Sequence, residues 1–365
     1  LLAYHSIENI GIIGIGMGMG ILGKASGDHY LMVFGFAGAL LHNLNHALFK
    51  SLLFFTAGNI YYATHHVNMD KLGGLAKKMR YTAYAFLIGA LAISGIPPFN
   101  GFISEFLIYI GVVNHLSTSI IITSTLSVAC ILSLVLIGGL CIYCFTKAFG
   151  LSFLGTRRQE SFTEPEEVPK IMLLPALIQI SFILAIGLMP AFFGASVIAI
   201  VQKLLHEPSS NFSANAIQSL TVVGQVNMLL IGLITVIMLL RAWQQSKVKI
   251  ASSPTWGCGY TGGDYRHQYT PTSYADSLRE LANPVIDYKK IYLPFPKTEI
   301  FPQKKEFETV SKDLIEEKTV LSWVHLIVNH LPKAGIAQSG LINDYLIYPM
   351  LFLILVGFLV ALNIL

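Results

Sequence analysis

The chain has 365 residues, of which 54% are hydrophobic and only 12% charged, and its mean hydropathy is +0.62. A soluble domain carries about 25% charged residues, so this composition excludes a water-soluble enzyme and describes a polytopic membrane protein. The net charge of +4 is modest, and its basic residues sit in loops and the tail, which fits membrane orientation and excludes nucleic-acid binding.

The first apolar run, Leu1–Leu22, begins at once, without an initiator Met. This predicts a C-terminal fragment whose upstream part is missing. Glu8 lies in this run, one turn beyond Tyr4 and beside His5. Gly14, Gly16, Gly18 and Gly20 read as a close-packing stripe; no strand precedes them, so they are not a nucleotide loop.

The second run, Leu31–Ala63, is about 33 residues, or roughly 50 Å of helix, against a hydrocarbon core of ~30 Å. It must tilt or protrude. Within it, His42, His46 and Lys50 recur at four-residue intervals and share one helix face. Two imidazoles and an ammonium at membrane depth cost several kcal/mol and persist only beside water or a carboxylate. One turn separates each from the next, about 6 Å of rise, a gap that a single water bridges. Histidine passes protons near neutral pH, and a desolvated lysine can change charge when a neighbouring carboxylate moves. The competing reading is a static buried ion pair with the histidines bonded to backbone. Three aligned groups and two further membrane carboxylates favour a proton relay. Asn43, Asn45 and Asn59 read as interhelical hydrogen bonders.

The third run, Thr82–Val113, is interrupted at Ser94-Gly95-Ile96-Pro97-Pro98. A double proline cannot continue a regular helix, and broken helices at membrane depth survive only where they are buried or line a cavity. Gly95, Pro97 and Pro98 therefore mark a second functional locus, followed by Asn100, Ser104 and the carboxylate of Glu105.

The remaining runs are Ile120–Phe145, Ile171–Leu204, Leu220–Leu240 and Leu346–Leu365. Cys130, Cys141 and Cys144 fall in an apolar helix and Cys258 in a polar tail. A lone Cys-x-x-Cys with no second pair reads as packing rather than as a metal or Fe–S site. The loops Thr64–Arg80 and Lys147–Lys170 and the tail are basic, whereas His115–Ser119 and Leu205–Ser219 carry no Lys or Arg. Treating Thr82–Val113 as one broken crossing puts every basic segment on one side, as the positive-inside rule asks. The expected fold is an all-α membrane bundle of about seven crossings, the first starting in the cytoplasm. In that frame the depth order from the cytoplasm is Glu8, Lys50, His46, His42 and Glu105.

Between the last two runs, Pro254, Gly257, Gly259, Gly262, Gly263 and Pro271 mark an irregular stretch. Phe307, Val310, Leu314, Leu321, Val324 and Val328 then recur at helical spacing, predicting an amphipathic helix against the membrane surface or a partner subunit. The expected division is a channel domain over 1–240, a cytoplasmic docking extension over 241–344 and a final transmembrane helix over 345–365.

Three segments also resemble a known family. LLAYHSIENIG (Leu1–Gly11), LLHNLNHALFKSLLFFTAG (Leu40–Gly58) and LAISGIPPFNGFISEFLIY (Leu91–Tyr109) are similar to the Mrp-antiporter-like proton-translocating subunits. These include the large membrane subunits of complex I (NADH:quinone oxidoreductase) and of group 4 hydrogenases. TWGCGYTGGDYRHQYTPTSYADSL (Thr255–Leu278) resembles the tail of the hydrogenase-4 component B and formate hydrogenlyase subunit 3 branch. The resemblance implies the second half of an antiporter-type inverted-repeat fold. It makes Lys50 the central-axis lysine, with His42 and His46 as its relay, and Glu8 and Glu105 as family carboxylates. It further implies a bacterial or archaeal inner-membrane location, with other membrane and hydrophilic subunits as partners. No cofactor, metal or redox centre is expected on this chain. The alternatives are a cation/proton antiporter subunit without redox function and a non-conducting membrane anchor.

Overall fold

The computed structural model describes residues 1–116, 121–158, 164–206, 211–248, 258–259, 267–282, 286–292, 307–334 and 342–361. It divides into two compact units, residues 1–271 and 272–365. The first holds α1 (Leu2–Ser26), α2 (His29–Thr64), α3 (Arg80–Ile93), α4 (Asn100–Leu116), α5 (Ile121–Phe153), α6 (Lys170–Leu188), α7 (Pro190–Leu205) and α8 (Asn211–Lys247). Among the described residues, α1, α2, α5, α6 and α8 are each long and apolar enough to cross a membrane alone.

Local chemistry sets the first helical hairpin. Gly27, in the left-handed region at φ 72°, ends α1, where a side chain would be strained. Asp28 then caps α2 by accepting from Leu31 N at 3.0 Å, which satisfies one of the orphan amides at the helix start. The two helices pack through glycine. A Cβ on Gly16 would lie 3.0 Å from Gly35 O, one on Gly20 would run into Phe36, and one on Gly35 would lie 2.5 Å from Gly20 N. Gly14 and Gly18 have no neighbour within 4 Å of that position. The expected four-glycine stripe is therefore two: residues two apart lie on opposite sides of a helix, so alternating glycines cannot all face one partner.

α2 is the organising axis. α3 and α4 follow it antiparallel along its whole length. Asn59 bonds Thr82 at 3.4 Å, Gly89 packs on Leu53, Asn45 bonds Asn100 O at 2.8 Å and Gly38 packs on Ile108. At the far end, Asp28 meets His115 at 2.6 Å. The chain keeps one direction through the Ser94–Phe99 interruption, so α3 and α4 form one broken crossing.

The run Ile171–Leu204 is also broken, contrary to the single helix its hydropathy suggested. α6 ends at Leu188 and α7 starts at Pro190. Pro190 has no amide hydrogen and its ring blocks the preceding turn. α6 lies beside the middle of α2, with Gln179 donating to Ser51 at 2.8 Å. α7 continues beside its first half, where Ile198 and Val201 join Val33, Phe34 and Leu41 in the core. The two breaks touch: Gly187 stands against Pro98, and a Cβ there would lie 1.9 Å from Pro98 O. Asn227 of α8 donates to Gly187 O at 2.8 Å and so pairs a carbonyl at the break.

On the side of the basic loops, Glu167 takes the N-terminus of α3, accepting from Tyr81 N at 2.7 Å and Thr82 Oγ1 at 2.6 Å. Lys78 pairs with Glu164 at 2.6 Å.

The second unit holds most of α9 (Pro271–Ala282), then β1 (Ile286–Tyr292), β2 (Phe307–Asp313), α10 (Leu321–Ala334) and α11 (Ile342–Ala361). Phe307–Asp313 was expected to open the amphipathic helix but is a strand, antiparallel to β1 with Tyr292 opposite Phe307. Thr309 and Val310 favour the pleated backbone, and cross-strand pairs decide what a loose three-to-four-residue spacing cannot. The WGCGY stretch lies outside the described residues except for Cys258 and Gly259.

Candidate functional site

The interior of the first unit carries a row of polar side chains along α2. Asn9, His42, Asn45, Asn100 and Ser104 are fully buried, and Lys50 is 6% exposed. Such groups are retained only when bonded, and here most bonds run between helices.

His42 sits at the centre, bonded on both ring nitrogens. Nε2 lies 3.2 Å from Asn9 Oδ1 and Nδ1 lies 2.9 Å from Ser104 Oγ. Asn9 donates its own amide to His5 O at 2.8 Å, so its carbonyl oxygen faces His42 and Nε2 must carry a hydrogen. Ser104 Oγ also accepts from Asn45 Nδ2 at 2.9 Å and lies 2.9 Å from Gly101 O. Its hydroxyl thus has two acceptors in reach, His42 Nδ1 and Gly101 O. Asn45 and Asn100 close the network reciprocally, with Asn100 Nδ2 donating to Asn45 Oδ1 at 3.1 Å. The first turn of α4 is therefore held directly by α2.

Two turns along α2, Lys50 donates to Leu2 O, its ammonium lies 5.2 Å from the centre of the Phe54 ring, and Glu8 and Cys141 are within its electrostatic reach. Glu8 is bonded to His5 Nδ1, and its Oε1 is buried with no hydrogen-bond partner. His46 lies between Lys50 and His42 and is electrostatically coupled to both. Its Nε2 is buried and also lacks a hydrogen-bond partner.

The broken helix supplies the remaining carboxylate. Gly95 adopts φ +63°, and Glu105 folds back against it, so that a Cβ there would meet the carboxylate at 2.8 Å. Glu8 is within electrostatic reach of Glu105. The sequence order placed Glu105 beyond His42. The structure instead puts its neighbour Ser104 on His42, while the Glu105 carboxylate reaches back to the break. Adjacent residues on a helix point about 100° apart, so Ser104 and Glu105 serve different neighbours.

Of the asparagines, Asn45 and Asn59 bridge helices, whereas Asn43 faces outward. Cys141 is more than a packing residue. Its sulfur lies 3.9 Å from His5 Nδ1, 3.6 Å from Ser94 Oγ and 3.6 Å from Ile93 O. Donor atoms of His5, Glu8 and Cys141 all lie within 4.8 Å of one another. Sequence reasoning missed His5, Asn9 and the Asp28–His115 pair. Applying to Asn9 the rule that flagged Lys50, a polar group inside an apolar helix, would have found it.

Residues 1–131 match the family described as NADH:quinone oxidoreductase/Mrp antiporter, TM. That stretch, about a third of the chain, is similar to the family's membrane part. The matched stretch carries Glu8, His42, His46, Lys50, the Pro97-Pro98 break and Glu105. Hydrogenase-4 component B of Escherichia coli is 35% identical over 268 residues, covering 71% of this chain and 40% of that protein. Formate hydrogenlyase subunit 3 of the same organism is 38% identical over 172 residues, covering 47% of this chain and 28% of that protein. These matches span less than half of either relative. A chain of the membrane-bound sulfane sulfur reductase, an archaeal respiratory membrane complex, superposes over 97% of this chain and 56% of its own, with TM-score 0.54 and 19% identity. The chain is thus antiporter-like over its first 131 residues and similar to hydrogenase-4 component B over 71% of its length.

Proposed function

We propose that this chain conducts protons across a bacterial or archaeal inner membrane, as a subunit of a group 4 hydrogenase-type or complex-I-like redox assembly. The observation that carries this reading is His42: fully buried, bonded at both nitrogens, and aligned with His46 and Lys50 toward Glu8. A static histidine needs one donor and one acceptor. The surroundings of His42 serve a second state as well. When neutral, it donates from Nε2 to Asn9 and accepts the Ser104 hydroxyl at Nδ1. When protonated, Nδ1–H donates to Ser104 Oγ, and the hydroxyl turns to Gly101 O. No buried polar group in this set loses its partner in either state, so the usual penalty for an unpaired buried group, about 1–3 kcal/mol, is avoided.

In this reading Glu8 and Lys50 exchange charge at one end of the row, and a proton from His46, whose Nε2 is unpaired, reaches His42 Nδ1 through water and the Ser104 hydroxyl, which gives its own proton to Nδ1 and takes one from the water. Glu105, against the break, is coupled to Glu8 by repulsion, so ionisation of one favours the protonated form of the other. Redox chemistry on partner subunits biases which protonation state dominates. The hydrogenase-type assignment draws on the two relatives named above, both subunits of larger enzymes, and on the resemblance of the WGCGY tail.

The test is His42→Ala in the assembled complex, reconstituted into proteoliposomes with an entrapped pH dye. Turnover-driven acidification is lost while the subunits still co-purify. Acidification at the wild-type rate contradicts the proposal.

A further inference from the structure

The pair Cys141 and Cys144 has no second Cys-x-x-Cys in sequence, yet the fold brings it a histidine and a carboxylate from α1. His5 Nδ1 stands 3.9 Å from Cys141 Sγ, and Cys144 follows Cys141 by one turn of α5. Glu8 reaches the same point: one donor atom from each of His5, Glu8 and Cys141 lies within 4.8 Å of the other two. Glu8 Oε1 is buried without a hydrogen-bond partner, a state that costs free energy unless a cation or donor fills it. From this arrangement we propose that His5, Glu8, Cys141 and Cys144 form a binding site for a thiophilic divalent cation, zinc above all, at the Lys50 end of the polar row.

The donor chemistry selects the ion. Two sulfurs, one imidazole and one carboxylate suit zinc, whereas magnesium and calcium require oxygen ligands. With Zn–N and Zn–S bonds of about 2.1 and 2.3 Å, tetrahedral donors stand roughly 3.3–3.8 Å apart. The measured 3.9 Å between His5 Nδ1 and Cys141 Sγ therefore closes with a small side-chain rotation. Two thiolates and a carboxylate around a dication leave one negative charge, and the Lys50 ammonium, within electrostatic reach of Glu8 and Cys141, offsets it. Cys130 takes no part: its sulfur packs on Met19 Sδ at 3.4 Å. The consequence rests on the function proposed above. A bound cation holds Glu8 and so stops its exchange with Lys50, which makes the site inhibitory.

Binding is tested without reference to proton flow, by titrating the detergent-solubilised full-length protein with Co²⁺ as the spectroscopic stand-in for Zn²⁺. The expected result is one equivalent bound with a thiolate-to-cobalt charge-transfer band that Zn²⁺ abolishes. Cys141→Ser and Cys144→Ser remove the band or weaken binding at least about tenfold, whereas Cys130→Ser and Cys258→Ser leave it unchanged. Absence of a zinc-sensitive thiolate band in the wild-type protein overturns the proposal, and so does a band that survives Cys141→Ser. The wild-type titration decides the matter even if a variant fails to fold. Zinc binding without inhibition of proton transfer would instead contradict the proton-entry role of Glu8.

Discussion

Replacing Gly187 by Ala places one methyl between the two helix breaks, and the structure sets the size of the effect. The new Cβ would lie 1.9 Å from Pro98 O, 3.0 Å from Pro98 C and 3.3 Å from Phe99 C. An ordinary contact begins near 3.4 Å, so α6 must retreat from the first break by about 1.5 Å, backbone against backbone. No flexible side chain is available to yield. Overpacking of this kind costs about 1–3 kcal/mol, and the upper end applies because Pro98 belongs to a rigid double proline. At roughly 2 °C or more per kcal/mol, Gly187→Ala lowers the melting temperature in detergent by several degrees, followed by intrinsic fluorescence. Asn227→Leu acts at the same spot by leaving Gly187 O without its donor, a loss of about 1–3 kcal/mol. Because both changes open one contact, the double variant loses less than the sum of the two. A Gly187→Ala protein that melts within a degree of wild type would refute the packing of break against break.

Two further outcomes follow from the same geometry. Ser104→Ala removes the acceptor that protonated His42 needs; a lost buried hydrogen bond of about 1–1.5 kcal/mol slows proton uptake roughly tenfold, and Ser104→Thr restores most of it in the same proteoliposome assay. Glu167→Ala deprives α3 of its cap and costs about 0.5–2 kcal/mol in a denaturation measurement. Glu164→Gln, by contrast, leaves stability unchanged, because the Lys78–Glu164 pair is exposed and screened. The hydrogen bond and charge of Lys78 hold the Glu164 carboxyl below its ordinary range. The pairing is thus complete at neutral pH and fades only as pH falls through that lowered value, so acid melting curves of wild type and Glu164→Gln overlay.

Much of the fold was legible because hydropathy and charge are read directly from residues. The positive-inside argument required Thr82–Val113 to cross once, and the register of α3 and α4 along α2, from Asn59–Thr82 to Asp28–His115, shows it. The second break at Pro190 was overlooked because one proline in a long apolar run is common in membrane helices, whereas Pro97-Pro98 is not. Gly187 three residues before the proline carried the missing signal. At the site, the strict spacing of His42, His46 and Lys50 was enough to find the face of α2 that turns inward. What faces it was less legible. Ser104 and Glu105 are adjacent in sequence yet serve different neighbours. Cys141 gains meaning only when α5 is laid against His5, a contact between residues 136 apart. Phe307–Asp313 was misread because its strand depends on a partner segment that helical spacing does not register.

The central claim is that the α2 face around Lys50 carries protons. The most direct measurement is the proton-to-electron ratio of the assembled complex in sealed vesicles, compared for wild type, Lys50→Arg and Lys50→Met. Lys50→Met removes the charge but keeps the length of the side chain, and the account predicts that the ratio falls or coupled turnover slows severely. A wild-type ratio at wild-type turnover in Lys50→Met would contradict it.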